Sequence, residues 1–132
     1  MNSSKKSVTI ISQGKDEAIR SFTSQENFYI IHEWRGSGPD YLHVHYEDDE
    51  SWHVIEGILT FKFADHSIEV SKGTTVTVPA GVAHTYSVNG PASYLIMLTP
   101  RLDALILELQ KSPYNAHSSI MKKYNSEILK VS

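Results

Sequence analysis

The amino-acid sequence predicts an all-β fold, a barrel or sandwich of short antiparallel strands, followed by two short C-terminal α-helices. Three observations predict it. β-Branched and aromatic runs recur at short intervals and are separated by Gly, Pro, Asp and Ser. One run, Ile58–Phe63, alternates, with Leu59, Phe61 and Phe63 on one face and Thr60 and Lys62 on the other. Only after Thr99 does the period lengthen, where Leu102, Leu105, Ile106 and Leu109 form the i, i+3, i+4, i+7 stripe of an amphipathic helix.

The elements follow in order. Val8–Ile11 is β-branched and ends at Ser12-Gln13-Gly14. Phe28–Trp34 is aromatic and β-branched and stops at Gly36-Ser37-Gly38-Pro39. After Ile58–Phe63 and a turn at Asp65-His66 come Ser67–Val70, Thr74–Val78 between Gly73 and Pro79, and Tyr94–Thr99. Phe61, Phe63, Ile96 and Met97 are core candidates. The first helix ends at Ser112-Pro113, because proline cannot continue the hydrogen-bond ladder. A second is expected over Ser118–Leu129, with Ile120, Met121, Tyr124 and Ile128 as its apolar side. Residues 1–7 are expected to be a flexible start, residues 8–99 the barrel and residues 101–130 the helices of one domain, 8–132.

Composition excludes several functions. With 132 residues and no linker-like stretch the chain has the size of one domain. The absence of cysteine excludes disulfides, thiolate metal sites and cysteine nucleophiles, so any metal is held by histidine, carboxylate or water. The net charge is −3, and no basic block exceeds the pairs Lys5-Lys6 and Lys122-Lys123, which argues against nucleic acid and anionic membranes as partners. No apolar run approaches a membrane span, and the polar start Met1–Ser7 carries no secretory leader, so a cytoplasmic location is expected.

The chemistry is concentrated in four residues. His43-Val44-His45 is strand-like, so alternation puts both imidazoles on one face, about 7 Å apart along the chain. Glu50 follows the acidic stretch Tyr46–Asp49, and a hairpin there would return its carboxylate to the same point. His84 follows Pro79-Ala80-Gly81-Val82-Ala83, a turn able to re-aim the chain. Three imidazoles and one carboxylate suit one divalent first-row metal, Fe, Mn, Ni, Co, Cu or Zn, with positions left for water or substrate. The competing reading is a set of hydrogen-bonded histidines without an ion. Glu47, Asp48 and Asp49 read as a solvated turn.

These residues resemble the cupin superfamily. His43-Val44-His45, four residues, Glu50, six residues and Gly57 resemble its first motif. Gly73, five residues, Pro79-Ala80-Gly81, two residues and His84 resemble the second, and fifteen residues separate the motifs. The chain departs from the pattern twice: the family glycine before the histidine pair falls at Ser37, between Gly36 and Gly38, and the asparagine after the last histidine falls at Val88, one step before Asn89. The resemblance implies a single cupin jelly-roll barrel, metal ligands His43, His45, Glu50 and His84, and a homodimer.

Around this site, Trp52 is expected to share the inward face with Glu50 and wall the metal, with Phe61 and Ile96 beside it. Tyr86, two residues beyond His84, is expected to face inward too, with a substrate as its hydrogen-bond partner. His32, His53, His66 and His117 are read as surface or structural, His53 turned away from Glu50 by alternation. Metal occupancy is expected to fall as pH drops through about 6 to 5, because imidazoles bind metal only when neutral. The run His43–Gly57 and the helical tail resemble the quercetin-dioxygenase-like small cupins. That implies an oxygenase acting on a small enolic or polyhydroxylated aromatic molecule, with Glu50 as catalytic base. A non-catalytic metal-containing binder of a sugar or metabolite, and a metal-dependent isomerase or epimerase, stand as alternatives.

Overall fold

Strands are the commonest element of the computed structural model, which describes residues 20–23 and 29–129. The expected strand Val8–Ile11 and the expected flexible start lie outside the described residues. In chain order the strands are β1 (Arg20–Thr23), β2 (Ile30–Trp34), β3 (His43–His45), β4 (Glu50–Glu56), β5 (Ile58–Phe63), β6 (Ser67–Ser71), β7 (Thr75–Val78), β8 (His84–Val88) and β9 (Ser93–Leu98). Then come α1 (Pro100–Gln110), a 3-10 turn (Tyr114–Ala116), α2 (His117–Lys123) and a last strand, β10 (Ser126–Ile128). All pairings are antiparallel and form two sheets, β1-β2-β9-β4-β7 and β10-β3-β8-β5-β6. Together they make the expected jelly roll.

The two sheets meet over one core, into which β4 and β5 bury alternate residues. In β4, Glu50, Trp52 and Val54 are buried while Ser51 and His53 are only partly covered, so His53 points away from Glu50 as alternation requires. Trp52 from one sheet packs edge-on against Phe61 of the other, with ring centroids 4.9 Å apart. Gly57, at φ 81°, makes the turn from β4 to β5. A Cβ there would sit 2.3 Å from the Pro91 carbonyl oxygen, so no other residue fits the position.

Helix α1 starts where its sequence signals say it should. Thr99 accepts from the Leu102 N–H at 3.1 Å, Pro100 occupies the first turn, and Asp103 complements the N-terminal dipole. Its buried stripe is Leu102, Leu105 and Leu109, and each such side chain contributes about 1.5–3 kcal/mol of burial. The helix expected over Ser118–Leu129 is corrected: α2 stops at Lys123, Asn125 adopts φ 56°, and β10 follows. The physical reason is the free edge of β3. Ser126, Glu127 and Ile128 pair with His45, Val44 and His43 and satisfy backbone groups that a continued helix would have left open. Among the described residues, no helix is long and apolar enough to cross a membrane.

Candidate metal centre

Three imidazoles converge because β3 and β8 are neighbours. His43 lies directly opposite His84 in the register, and His45 is two residues further on the same face. The rings lean together, with centroids 4.8 Å apart for His43 and His45, 4.4 Å for His43 and His84, and 5.5 Å for His45 and His84. Glu50 enters from β4 of the other sheet, and its Oε1 lies 3.1 Å from His84 Nε2 and 3.4 Å from His45 Nε2. All four residues are buried, and their ligand atoms lie within 4.8 Å of one another. With metal–nitrogen bonds of about 2.0–2.1 Å, donors on one ion stand about 3 to 4.2 Å apart, so the cluster needs to contract by only about half an ångström to close on an ion.

The outward nitrogens of the rings show which atoms are left for an ion. His84 Nδ1–H donates to the Val82 carbonyl at 3.0 Å and His43 Nδ1–H to the Tyr41 carbonyl at 3.4 Å. His45 Nδ1 lies 2.8 Å from Ser126 Oγ, whose own proton goes to the Tyr124 carbonyl at 3.2 Å, so His45 is the donor. Each neutral imidazole therefore presents a bare Nε2 lone pair to the cluster. Lone pairs of His45 and His84 facing a carboxylate oxygen at this range repel unless a proton or a cation lies between them. The donor set fits a divalent metal.

The electrostatics agree. Burial, then the neighbouring rings of His84 and His45, lowers His43 to about 3, so this ring stays neutral at pH 5 and is not what releases metal there. Burial pushes the Glu50 carboxyl up, but with protons in the ion's place, on Nε2 of His45 and His84, their hydrogen bonds and charge outweigh it and hold Glu50 at about 2. The other acids of the turn are engaged elsewhere. Asp49 accepts from the Ala80 N–H at 2.8 Å, and Arg101 pairs with Glu47 at 3.0 Å and Asp48 at 3.2 Å. Asp48 is buried, which corrects its reading as part of a solvated turn.

Three of the four side chains, His43, His45 and Glu50, line a cavity of about 460 Å³ and form its polar end. Tyr86, Tyr94 and Ile96 line it from the barrel, and Leu105, Leu109 and Met121 from the helices. Trp52 and Phe61 do not reach the cavity, which corrects their expected place on its wall. Trp52 is fully buried against His84 and Tyr86, its Nε1 without a hydrogen-bond partner among the described residues, and backs the site from behind. Tyr86 does face inward, but its partner is a residue of the chain: its hydroxyl lies 2.8 Å from that of Tyr94. Tyr94 donates to the Gly36 carbonyl at 2.6 Å, so Tyr86 must donate to Tyr94.

Tyr41 and His117 are among the cavity residues that escaped the sequence reading. Tyr41 packs edge-on over His43, and its hydroxyl lies 2.9 Å from His117 Nδ1. His117 is structural, as expected, yet it also lines the cavity. Neither belongs to a motif, and a histidine at the start of a helix carries no signal for such contact. The departures from the family pattern touch each other, since the Val88 N–H donates to Ser37 Oγ at 3.0 Å. Gly38 beside them gives its N–H to the Tyr86 carbonyl at 2.9 Å, and a Cβ there would lie 2.6 Å from the Tyr86 ring.

Comparison with known proteins agrees with this fold. The cupin domain family model matches residues 26–98. A cupin-2 domain protein from Shewanella frigidimarina is 24% identical with a TM-score of 0.54, over 64% of this chain and 82% of that one. A cupin protein from Bacteroides fragilis is 13% identical with a TM-score of 0.57, over 72% and 84%. A protein from Neisseria meningitidis is 21% identical with a TM-score of 0.52, over 64% and 88%. At these identities the likeness is one of fold. No curated protein matches the chain in sequence.

Proposed function

The chain belongs to the cupin domain family, and on that premise we propose that it is a divalent-metal-dependent oxygenase acting on a small enolic or polyhydroxylated aromatic substrate. The observation that supports this reading is the pairing of a buried four-donor centre with an aromatic, largely apolar cavity. When bound, the ion supplies Lewis-acid stabilisation of a deprotonated substrate oxygen. The chain's own residues supply the rest. Glu50 is ionised at neutral pH, the state in which a carboxylate accepts a substrate proton. Tyr86 and Tyr94 spend their protons on Tyr94 and Gly36, so toward a ligand they offer lone pairs and accept from its hydroxyl groups. Ile96, Leu105 and Leu109 keep water from the reacting carbon atoms. Oxygen uptake by the metal-loaded protein with a flavonol or another enol tests the reading, and Glu50→Gln, compared with wild type at equal metal content, should slow turnover by about 100-fold or more.

One observation favours a second reading, a binding cupin without turnover. Burial raises Tyr41 and Tyr86 to about 12 and pushes Tyr94 up as well, so none of these phenols exchanges a proton near neutral pH. Among the described residues, Glu50 is then the single carboxylate lining the cavity. A loaded protein that binds the flavonol, measured by calorimetry, yet consumes no oxygen decides for this reading.

A further inference from the structure

His84 takes its outward hydrogen bond from the barrel's own turn, whereas the surroundings of His43 and His45 depend on the arm that follows α1. The link to His43 is indirect. His117 Nε2–H donates to the Leu109 and Ser112 carbonyls at 3.1 and 3.3 Å, which leaves Nδ1 to accept from Tyr41, the residue whose carbonyl holds His43. The link to His45 is direct, through Ser126 of β10 at 2.8 Å. Ser126 is buried, and the ladder that carries it is flanked by the bonds Tyr46 N–H to Asn125 O, 3.0 Å, and Leu129 N–H to Leu42 O, 2.9 Å.

We infer that Ser126 is a positioning residue for the metal centre: its hydroxyl holds His45 in the tautomer and orientation that turn a bare Nε2 toward Glu50, so that metal binding and docking of β10 on β3 stabilise each other. The inference rests on the metal-centre reading above. Its force lies in the direction of the bonds. The Tyr124 carbonyl consumes the Ser126 proton, so Ser126 can only accept from His45. Without that acceptor, His45 is free to move its proton to Nε2 and donate it to Glu50 Oε1, 3.4 Å away, which closes the site to an ion. Coupling of this kind is reciprocal, so an ion that prefers the aligned ring also favours the docked strand.

The test is a cobalt(II) titration of the full chain against a chromophoric chelator, with the visible cobalt spectrum recorded. Ser126→Ala should bind cobalt about 10- to 100-fold more weakly with an altered spectrum, and Ser126→Thr, which keeps the hydroxyl, should stay near wild type. Equal affinity and spectrum in wild type and Ser126→Ala overturn the inference. A wild type that takes up no cobalt sinks the metal centre and this inference with it. Hydrogen exchange of the unmutated protein gives a second measurement that survives any folding defect of the variants. Cobalt should slow exchange at the Ser126–Ile128 amides, and unchanged exchange there counts against the coupling.

Discussion

The two ends of the cavity are built on opposite terms. The polar end needs four particular side chains within 4.8 Å, all from strands in register between residues 43 and 84. The remaining walls draw on residues from Trp34 to Met121 and ask mainly for apolar bulk, hydrogen-bonded tyrosines and a tight loop at Gly36–Pro39. Strand periodicity places a few polar groups with the accuracy that an ion demands, whereas helix docking shapes a volume that tolerates exchange of similar residues. On the proposed function, the polar end governs whether chemistry occurs, and the walls govern on what.

The largest test of that division is His84→Ala. Removing one of three imidazoles should weaken metal binding by more than about 100-fold, beyond the 10- to 100-fold typical of a supporting partner. The barrel should persist, because Trp52, Phe61, Leu59 and Ile96 remain buried together without the ion. Elemental analysis and far-ultraviolet circular dichroism on one sample check both halves. A variant that keeps its metal would dissolve the distinction between the two ends.

How far each end was legible follows the same line. Period-two alternation and two motifs sufficed to single out His43, His45, Glu50 and His84, because a residue's face on a strand is set by its neighbours in the chain. The same rule put Trp52 and Phe61 on the inward face, where they are, but depth is a property of packing, and both lie behind the cavity wall. Ser126 was hidden because Ile120, Met121, Tyr124 and Ile128 happen to continue a helical stripe, while the edge of β3 that captures the chain lies some eighty residues away. Asn125 before it was the available signal, since asparagine tolerates the left-handed backbone that ends a helix. His117 and Tyr41 meet only after α2 docks.

Acid should act on the polar end and spare the walls. Below 6.5 the unfolded chain protonates His43, which the folded protein refuses until about 3. Below 4.5 the unfolded chain protonates Glu50, which stays ionised in the fold down to about 2. In both windows the unfolded state binds more protons. The stability from these groups is therefore complete above pH 6.5 and lost as pH falls toward 2, at up to about 1.4 kcal/mol per pH unit for each proton. Thermal melts of chelator-treated protein from pH 7 to 4 should show the fall. His43→Gln should flatten it between 6.5 and 4.5, and an unchanged slope would mean that His43 is not buried in the neutral form.

The smallest expected effect belongs to the wall. Tyr86→Phe deletes the hydroxyl that donates to Tyr94, yet Tyr94 keeps its bond to Gly36, and no charged group is left stranded. The cost should be about 0.5–1.5 kcal/mol, that of one neutral hydrogen bond, read from denaturant unfolding. Metal content should not change, because Tyr86 makes none of the outward bonds that hold the imidazoles. Affinity for a hydroxylated ligand should fall relative to its methoxy analogue, since a phenyl ring in place of the phenol has no oxygen to accept from a hydroxyl. If the substitution instead releases the ion, the tyrosine pair supports the polar end as well as the wall, and the two ends of the cavity are one mechanical unit.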